Sequence, residues 1–183
     1  LNAVDKLIDA DKTEEALAEH QQTLAEYKAR QGKAASKAKL TNIFNKLDEP
    51  TDATALLDVL SKSENPITRL IAIKAKDNLT TKIARSEGKT HYDPATDTVY
   101  VAKEHYGSEE TLTHEFAHAL TNQALHNPTK VQKPYTDSIH ALYNRLKGDK
   151  SLAKEYGINS VDEFVAEGMS NAKFQHKLSK IKS

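Results

Sequence analysis

The sequence predicts an α+β protein: a mainly helical region over residues 1–80, then over 81–183 a domain with a small antiparallel sheet and three helices. Three observations predict it. Apolar residues recur at helical intervals up to about residue 80. Between Lys82 and Ala102 the pattern changes to short runs separated by turn signals. After Ser108 helical periodicity returns, with a cap residue and two acids heading the first of the segments.

Leu1, Val4, Leu7, Ile8, Leu17, Leu24 and Tyr27 recur among Glu, Lys and Gln, and Gly32 is expected to close this first helix. Ser36 to Leu47 makes a second, shorter helix, punctuated by Pro50. Thr51 or Asp52 is expected to cap a helix burying Ala55, Leu56, Val59 and Leu60. Asn65-Pro66 is a cap followed by a proline at the first helical position, and opens a helix carrying Ile67, Leu70, Ile71 and Lys74. Lys82 to Ser86 reads as a short strand and Glu87-Gly88 as a turn. His91 to Asp93, Pro94-Ala95-Thr96-Asp97 and Thr98 to Ala102 then read as strand, turn, strand. Ser108-Glu109-Glu110-Thr111 puts a cap and two acids at the head of a helix through Leu112, Phe116, Ala119 and Leu120 to about Leu125, where Asn127-Pro128 ends it. Tyr135 to Lys147 is the next helix, stopped by Gly148. The last begins near Ser160 with Val161, Phe164 and Val165 on its apolar side; Gly168, inside it, marks either close packing or an early end.

The composition excludes several classes. Among 183 residues Lys+Arg and Asp+Glu both number 26, so neither a nucleic-acid partner nor an acidic solvating tail is expected. Lys33, Lys37 and Lys39, and Lys173, Lys177, Lys180 and Lys182, are read as solvated helix faces. No cysteine is present, so disulfides, thiolate metal sites and a cysteine nucleophile are ruled out. No apolar run approaches the length of a membrane span, and no signal peptide is recognised. The chain starts at Leu1, which reads as a processed product or a piece of a longer protein.

The chemistry lies in His114-Glu115-Phe116-Ala117-His118. Two histidines four apart share one helix face, one turn apart, near enough to hold one ion. Zinc accepts neutral imidazole nitrogen, and a carboxylate beside the first ligand reaches a zinc-bound water rather than the metal. Such a five-residue pattern arises in about three per cent of shuffles of this composition, so its place in an amphipathic helix behind strand signals matters. A catalytic zinc site needs a third protein ligand. Six residues beyond His118 stands Ala124, which excludes a third histidine there. Glu163 and Glu167, four apart on the last helix, are the candidates. One would bind the metal while the other accepts a hydrogen bond from a liganding histidine.

The zinc motif followed by a second-helix glutamate resembles the gluzincin metallopeptidases, a zincin-like architecture. Within them, Tyr156-Gly157 and Asp162-Glu163-Phe164-Val165-Ala166-Glu167 resemble the end of the catalytic domain of anthrax lethal factor and its relatives. Those relatives include secreted Pro-Pro endopeptidases and zincin modules of phage and toxin polyproteins. In that family a tyrosine stands seven residues before the liganding glutamate, the interval from Tyr156 to Glu163. The likeness covers roughly residues 90–172; Gly168-Met169 stands where the family has Ala-Phe.

The resemblance implies zinc held by His114, His118 and Glu163. It implies Glu115 as general base, Tyr156 as donor to the oxyanion, and Glu167 supporting a ligand. The expected activity is endopeptidase cleavage of a protein or peptide, in a secreted or virion-associated setting or some other. The competing expectation is a structural or interaction module of a larger phage or toxin assembly, joined through residues 1–80, with zinc structural or vestigial. A deformylase is excluded because that class takes a cysteine as third ligand. The strand from Thr98 to Ala102 is either an ordinary edge strand or one on which an extended substrate pairs. His126, His140 and Tyr143 could approach the site but are read as surface residues, as are His20 and His176; His91 and His105 flank the hairpin, where they could lie near the cleft, and are assigned no role.

Overall fold

The computed structural model describes residues 3–181, with side chains from Leu17 onward except His20. Leu1 and Lys182, and the side chains of Val4, Leu7, Ile8 and His20, therefore lie outside the described residues. The chain forms two units, Leu1–Ala35 and Ser36–Ser183. The first is helical, and its Leu17, Leu24 and Tyr27 are exposed.

The first helix, α1, is Ala3–Asn45, so Gly32 does not close it and no separate helix starts at Ser36. A single interior glycine costs about 1 kcal/mol relative to alanine. Ala34, Ala35, Ala38 and their lysines, all good helix formers without a proline, carry the chain past it. The second unit starts well before residue 81. Leu40, Phe44, Leu47, Leu56, Leu57, Leu60, Ile71 and Ala75 share one core with Ile83, Val99, Val101, Leu112 and Phe116.

Thr51–Asp52 form a short strand, β1, rather than a cap alone, although Asp52 Oδ1 does accept the Thr54 N–H at 2.7 Å. The helix that follows, α2 (Thr54–Leu60), buries Leu56, Leu57 and Leu60, and leaves Ala55 exposed. Asn65 caps α3 (Pro66–Asn78), its side chain taking the Ile67 N–H at 2.9 Å. The buried face of α3 is Thr68, Ile71, Ala72 and Ala75, while Leu70 points outward.

β2 (Lys82–Ser86), β3 (His91–Asp93) and β4 (Thr98–Ala102) complete a four-stranded sheet in the order β1-β2-β4-β3. The expected hairpin is present: β3 and β4 are antiparallel, with Tyr92 opposite Val99. The sheet is nevertheless mixed rather than antiparallel, because β4 inserts beside β2 and runs parallel to it. Burial explains the order. Thr98, Val99, Val101 and Ala102 are all buried, so the strand they form takes the centre and shorter, wetter strands take the edges. β4 is thus not an edge strand and has no free side for a substrate; the outer strands are β1 and β3. Asp97, in the left-handed region at φ 46°, closes the hairpin turn. Its side chain gathers the hydroxyls of Thr81 (2.7 Å) and Tyr92 (3.1 Å).

Four helices follow: α4 (Glu109–His126), α5 (Lys133–Leu146), α6 (Val161–Ser170) and α7 (Ala172–Leu178). The last was not anticipated; Asn171 ends α6 and caps α7 by accepting the Lys173 N–H at 2.9 Å. Gly168 neither shortens α6 nor packs closely, since a Cβ there would meet nothing within 4 Å. Phe164, Phe174, Leu146 and Leu152 form a second small core under α6. Among the described residues no helix is long and apolar enough to cross a membrane.

Candidate active site

α4 starts where Ser108 Oγ accepts the Thr111 N–H (3.2 Å), with Glu109 and Glu110 in the positive first turn. Glu109 also accepts the hydroxyls of Ser36 and Ser63, which ties the head of α4 to the preceding helical segment. Burial of Leu112, Phe116, Ala117 and Ala119 fixes the rotation of α4. His114 and His118 are thereby left side by side on the face toward α6. There, Ser160 Oγ accepts the Glu163 N–H (3.1 Å), and burial of Phe164 and Ala166 turns Glu163 and Glu167 toward α4.

Three side-chain atoms converge. His114 Nε2 lies 3.1 Å from Glu163 Oε2 and 3.0 Å from His118 Nε2, and His118 Nε2 lies 3.4 Å from the same carboxylate oxygen. His114 Nδ1 is 3.4 Å from Ser170 Oγ, whose own hydrogen goes to Ala166 O (2.7 Å), and 3.2 Å from Glu167 Oε1. The ring proton therefore belongs on Nδ1, and Nε2 presents a lone pair. That lone pair faces a carboxylate oxygen and a second imidazole nitrogen, an arrangement of acceptors that a cation satisfies. Two imidazole nitrogens and one carboxylate oxygen, all within 4.8 Å of one another, are a donor set that zinc accepts. The residues present fit the metal.

The electrostatics agree. Burial works against a charge on His114, but the hydrogen bond that a protonated Nε2 makes to Glu163 and the charges of Glu115, Glu163 and Glu167 outweigh it and raise its pKa above the ordinary value. Burial likewise opposes ionisation of Glu163, yet its bonds to His114 and His118 bring it down to about 2. A field that holds a proton so firmly also favours a cation.

Glu115 is 7% exposed and does not join the three ligating atoms. Its Oε2 accepts the Tyr92 main-chain N–H at 2.8 Å, and burial raises its pKa. Tyr156 comes from a 3-10 turn, Tyr156–Ile158, pinned by Tyr143 OH donating to Ile158 O (3.1 Å). Its hydroxyl donates to Glu163 Oε1 at 3.1 Å, although the residue is 58% exposed. Burial and the Glu163 charge raise its pKa, so it stays a protonated donor. Gly157 must be glycine, because a Cβ there would fall 2.6 Å from Phe174 Cζ. Asn171 Nδ2 donates to Glu167 Oε2 at 2.7 Å, holding that carboxylate beside His114.

All six sequence-predicted site residues are thus brought into one place. Others join them to which the sequence assigns no role in the site. His126 lies on the cleft wall, paired with Asp162 at 2.7 Å, and Asn122 precedes it by one turn. The spacing 114, 118, 122, 126 along α4 carried that signal. Thr90, His91 and His105 also line the cleft. The Tyr92 main-chain donor had no sequence signal, since every residue but proline carries one. His140 and Tyr143 serve structure instead, reaching Leu125 O and Ile158 O. Comparison with protein-family models, with curated proteins and with solved structures finds no match to this chain.

Proposed function

We propose that this protein is a zinc-dependent endopeptidase of the gluzincin type, with a zincin-like domain resembling the lethal factor and Pro-Pro endopeptidase catalytic domains. The observation that carries the reading is the convergence of His114, His118 and Glu163 beside a buried Glu115 that ligates nothing. His114, His118 and Glu163 would hold the metal. When bound, zinc supplies Lewis acidity, polarising the scissile carbonyl and acidifying a coordinated water.

The remaining steps belong to the chain's own groups. With Oε2 held by the Tyr92 N–H, Glu115 has its other oxygen free to take a proton from water and pass it to the leaving amine. The burial that raises its pKa makes it a better base near neutrality. Tyr156 donates its hydroxyl where negative charge develops on the carbonyl oxygen. Glu167 and Ser170 hold the His114 proton on Nδ1, keeping Nε2 a ligand. An extended substrate would lie along β3, the outer strand that contributes His91 and Tyr92 to the cleft.

A purely structural metal would favour a closed set of four ligands. Three ligands beside an open cavity of ≈ 330 Å³ support the catalytic reading instead. The test is metal analysis of the purified protein with cleavage of a mixed peptide library. One zinc per chain and chelator-sensitive cleavage are expected. Absence of stoichiometric zinc, or unfolding on chelation of a protein that cleaves nothing, would overturn the reading.

A further inference from the structure

The cleft has two arms that share Thr90, His114, Glu115 and Tyr156. The second arm, ≈ 290 Å³, runs beside His105, Glu110, Thr111, Ser170 and Asn171. Most of its polar groups are already engaged. Asn171 Nδ2 donates to Glu167, Ser170 Oγ to Ala166 O, and Thr111 Oγ1 lies 2.8 Å from Ser108 Oγ.

His105 is different. Thr90 Oγ1 accepts the Ala102 N–H at 2.9 Å and stands 2.8 Å from His105 Nδ1. A hydroxyl that takes a main-chain N–H still has its own hydrogen to give, and Nδ1 is the acceptor in reach. Nδ1 is thereby the accepting nitrogen, and the His105 proton sits on Nε2. Among the described residues that Nε2–H has no hydrogen-bond partner.

Resting on the peptidase reading, we infer that His105 donates its Nε2–H to a main-chain carbonyl of the substrate in the second arm. An extended peptide offers one carbonyl per residue. A carboxylate ligand is disfavoured, because Glu110, Glu115 and Glu167 line the same arm and no lysine or arginine does. A neutral carbonyl meets no such repulsion. His105 is thus a substrate-positioning residue that acts on one side of the scissile bond only.

The test uses the best-cleaved peptide of a mixed-sequence library and two nested sets shortened from either end. His105→Phe keeps a ring and removes the donor; His105→Gln keeps a donor near the same place. On full-length peptides His105→Phe should lose about three- to tenfold in kcat/KM, mostly through KM, the worth of one neutral hydrogen bond. His105→Gln should recover most of it. The deficit should disappear on peptides shortened on one side of the scissile bond, while zinc content stays at the wild-type level. Thr90→Val, which frees the ring tautomer, should show a smaller loss confined to the same peptides. An equal deficit at every peptide length in both variants, or no deficit in either, overturns the inference. Wild-type protein that binds zinc but cleaves no peptide would instead overturn the peptidase reading on which it rests.

Discussion

Gly157→Ala should disturb the site without touching any group that reacts. The added Cβ would stand 2.6 Å from Phe174 Cζ, 2.8 Å from Phe174 Cε1 and 3.0 Å from Glu167 Cβ. Carbon atoms in contact prefer about 3.5–4.0 Å, so something must move by about 1 Å. Phe174 has little room: it is 1% exposed and packed edge-on against Phe164 at 6.0 Å, within the cluster of Leu146 and Leu152. The turn carrying Tyr156 must therefore give way. Overpacking of this kind costs about 1–3 kcal/mol, which a urea melt resolves. The same shift pulls Tyr156 OH from its place 3.1 Å from Glu163. A displacement of about 1 Å in an oriented group costs roughly 10²-fold in rate. Trimming the ring in a Gly157→Ala/Phe174→Leu double variant should return part of both losses relative to the sum of the single changes. The reasoning is refuted if Gly157→Ala melts within about 0.5 kcal/mol of wild type and cleaves as fast.

Other consequences follow from the same contacts. Burial, then the charge and hydrogen bond of Asp97, push the Tyr92 phenol up to about 12, above the value of about 10 for an unfolded tyrosine. The folded state thus holds this proton more tightly. Its contribution to stability is complete below about pH 10 and is lost as pH rises toward about 12. An ultraviolet titration should show Tyr92 as a late tyrosine whose ionisation moves earlier in Asp97→Asn; a protein whose tyrosines all ionise together near pH 10 would contradict it. Glu167→Gln should weaken zinc binding by about 10–100-fold in competition with a chelating dye, because the carboxylate beside His114 Nδ1 is lost. Unchanged affinity would remove Glu167 from the site. Glu109→Ala leaves the buried Ser63 hydroxyl without its acceptor and should cost about 1–3 kcal/mol on denaturation. A neutral result would mean the clamp on the head of α4 is solvent-replaceable.

Local signals in the sequence translated well. Asn65 and Ser108 each cap the helix they are expected to cap, and the last helix begins at Ser160 as expected, because an N-cap bond spans only two or three residues. The i, i+4 spacing of His114 and His118 places both on one face for the same reason. What failed was decided at a distance. The alternating pattern of Thr98 to Ala102 identified a strand but not that it would slot between β2 and β3, since strand order depends on which strand is most buried. Gly32 looked like a stop because its cost is visible and the helix formers around it act only in sum. Residues 1–80 read as a helical region apart from the domain over 81–183, yet Leu40, Phe44, Leu56 and Ile71 lie in the same core as the sheet and α4. The Tyr92 N–H on Glu115 depends on β3 being an outer strand against α4, which no spacing rule encodes.

The central claim is that Glu115 is a base and not a ligand. It is tested most directly by loading wild-type protein and Glu115→Gln with zinc and measuring metal content and peptide cleavage side by side. The account predicts one zinc per chain in both, with cleavage lower by about 10²–10⁴-fold in the variant, the range for loss of a general base. Full cleavage by zinc-loaded Glu115→Gln would contradict it.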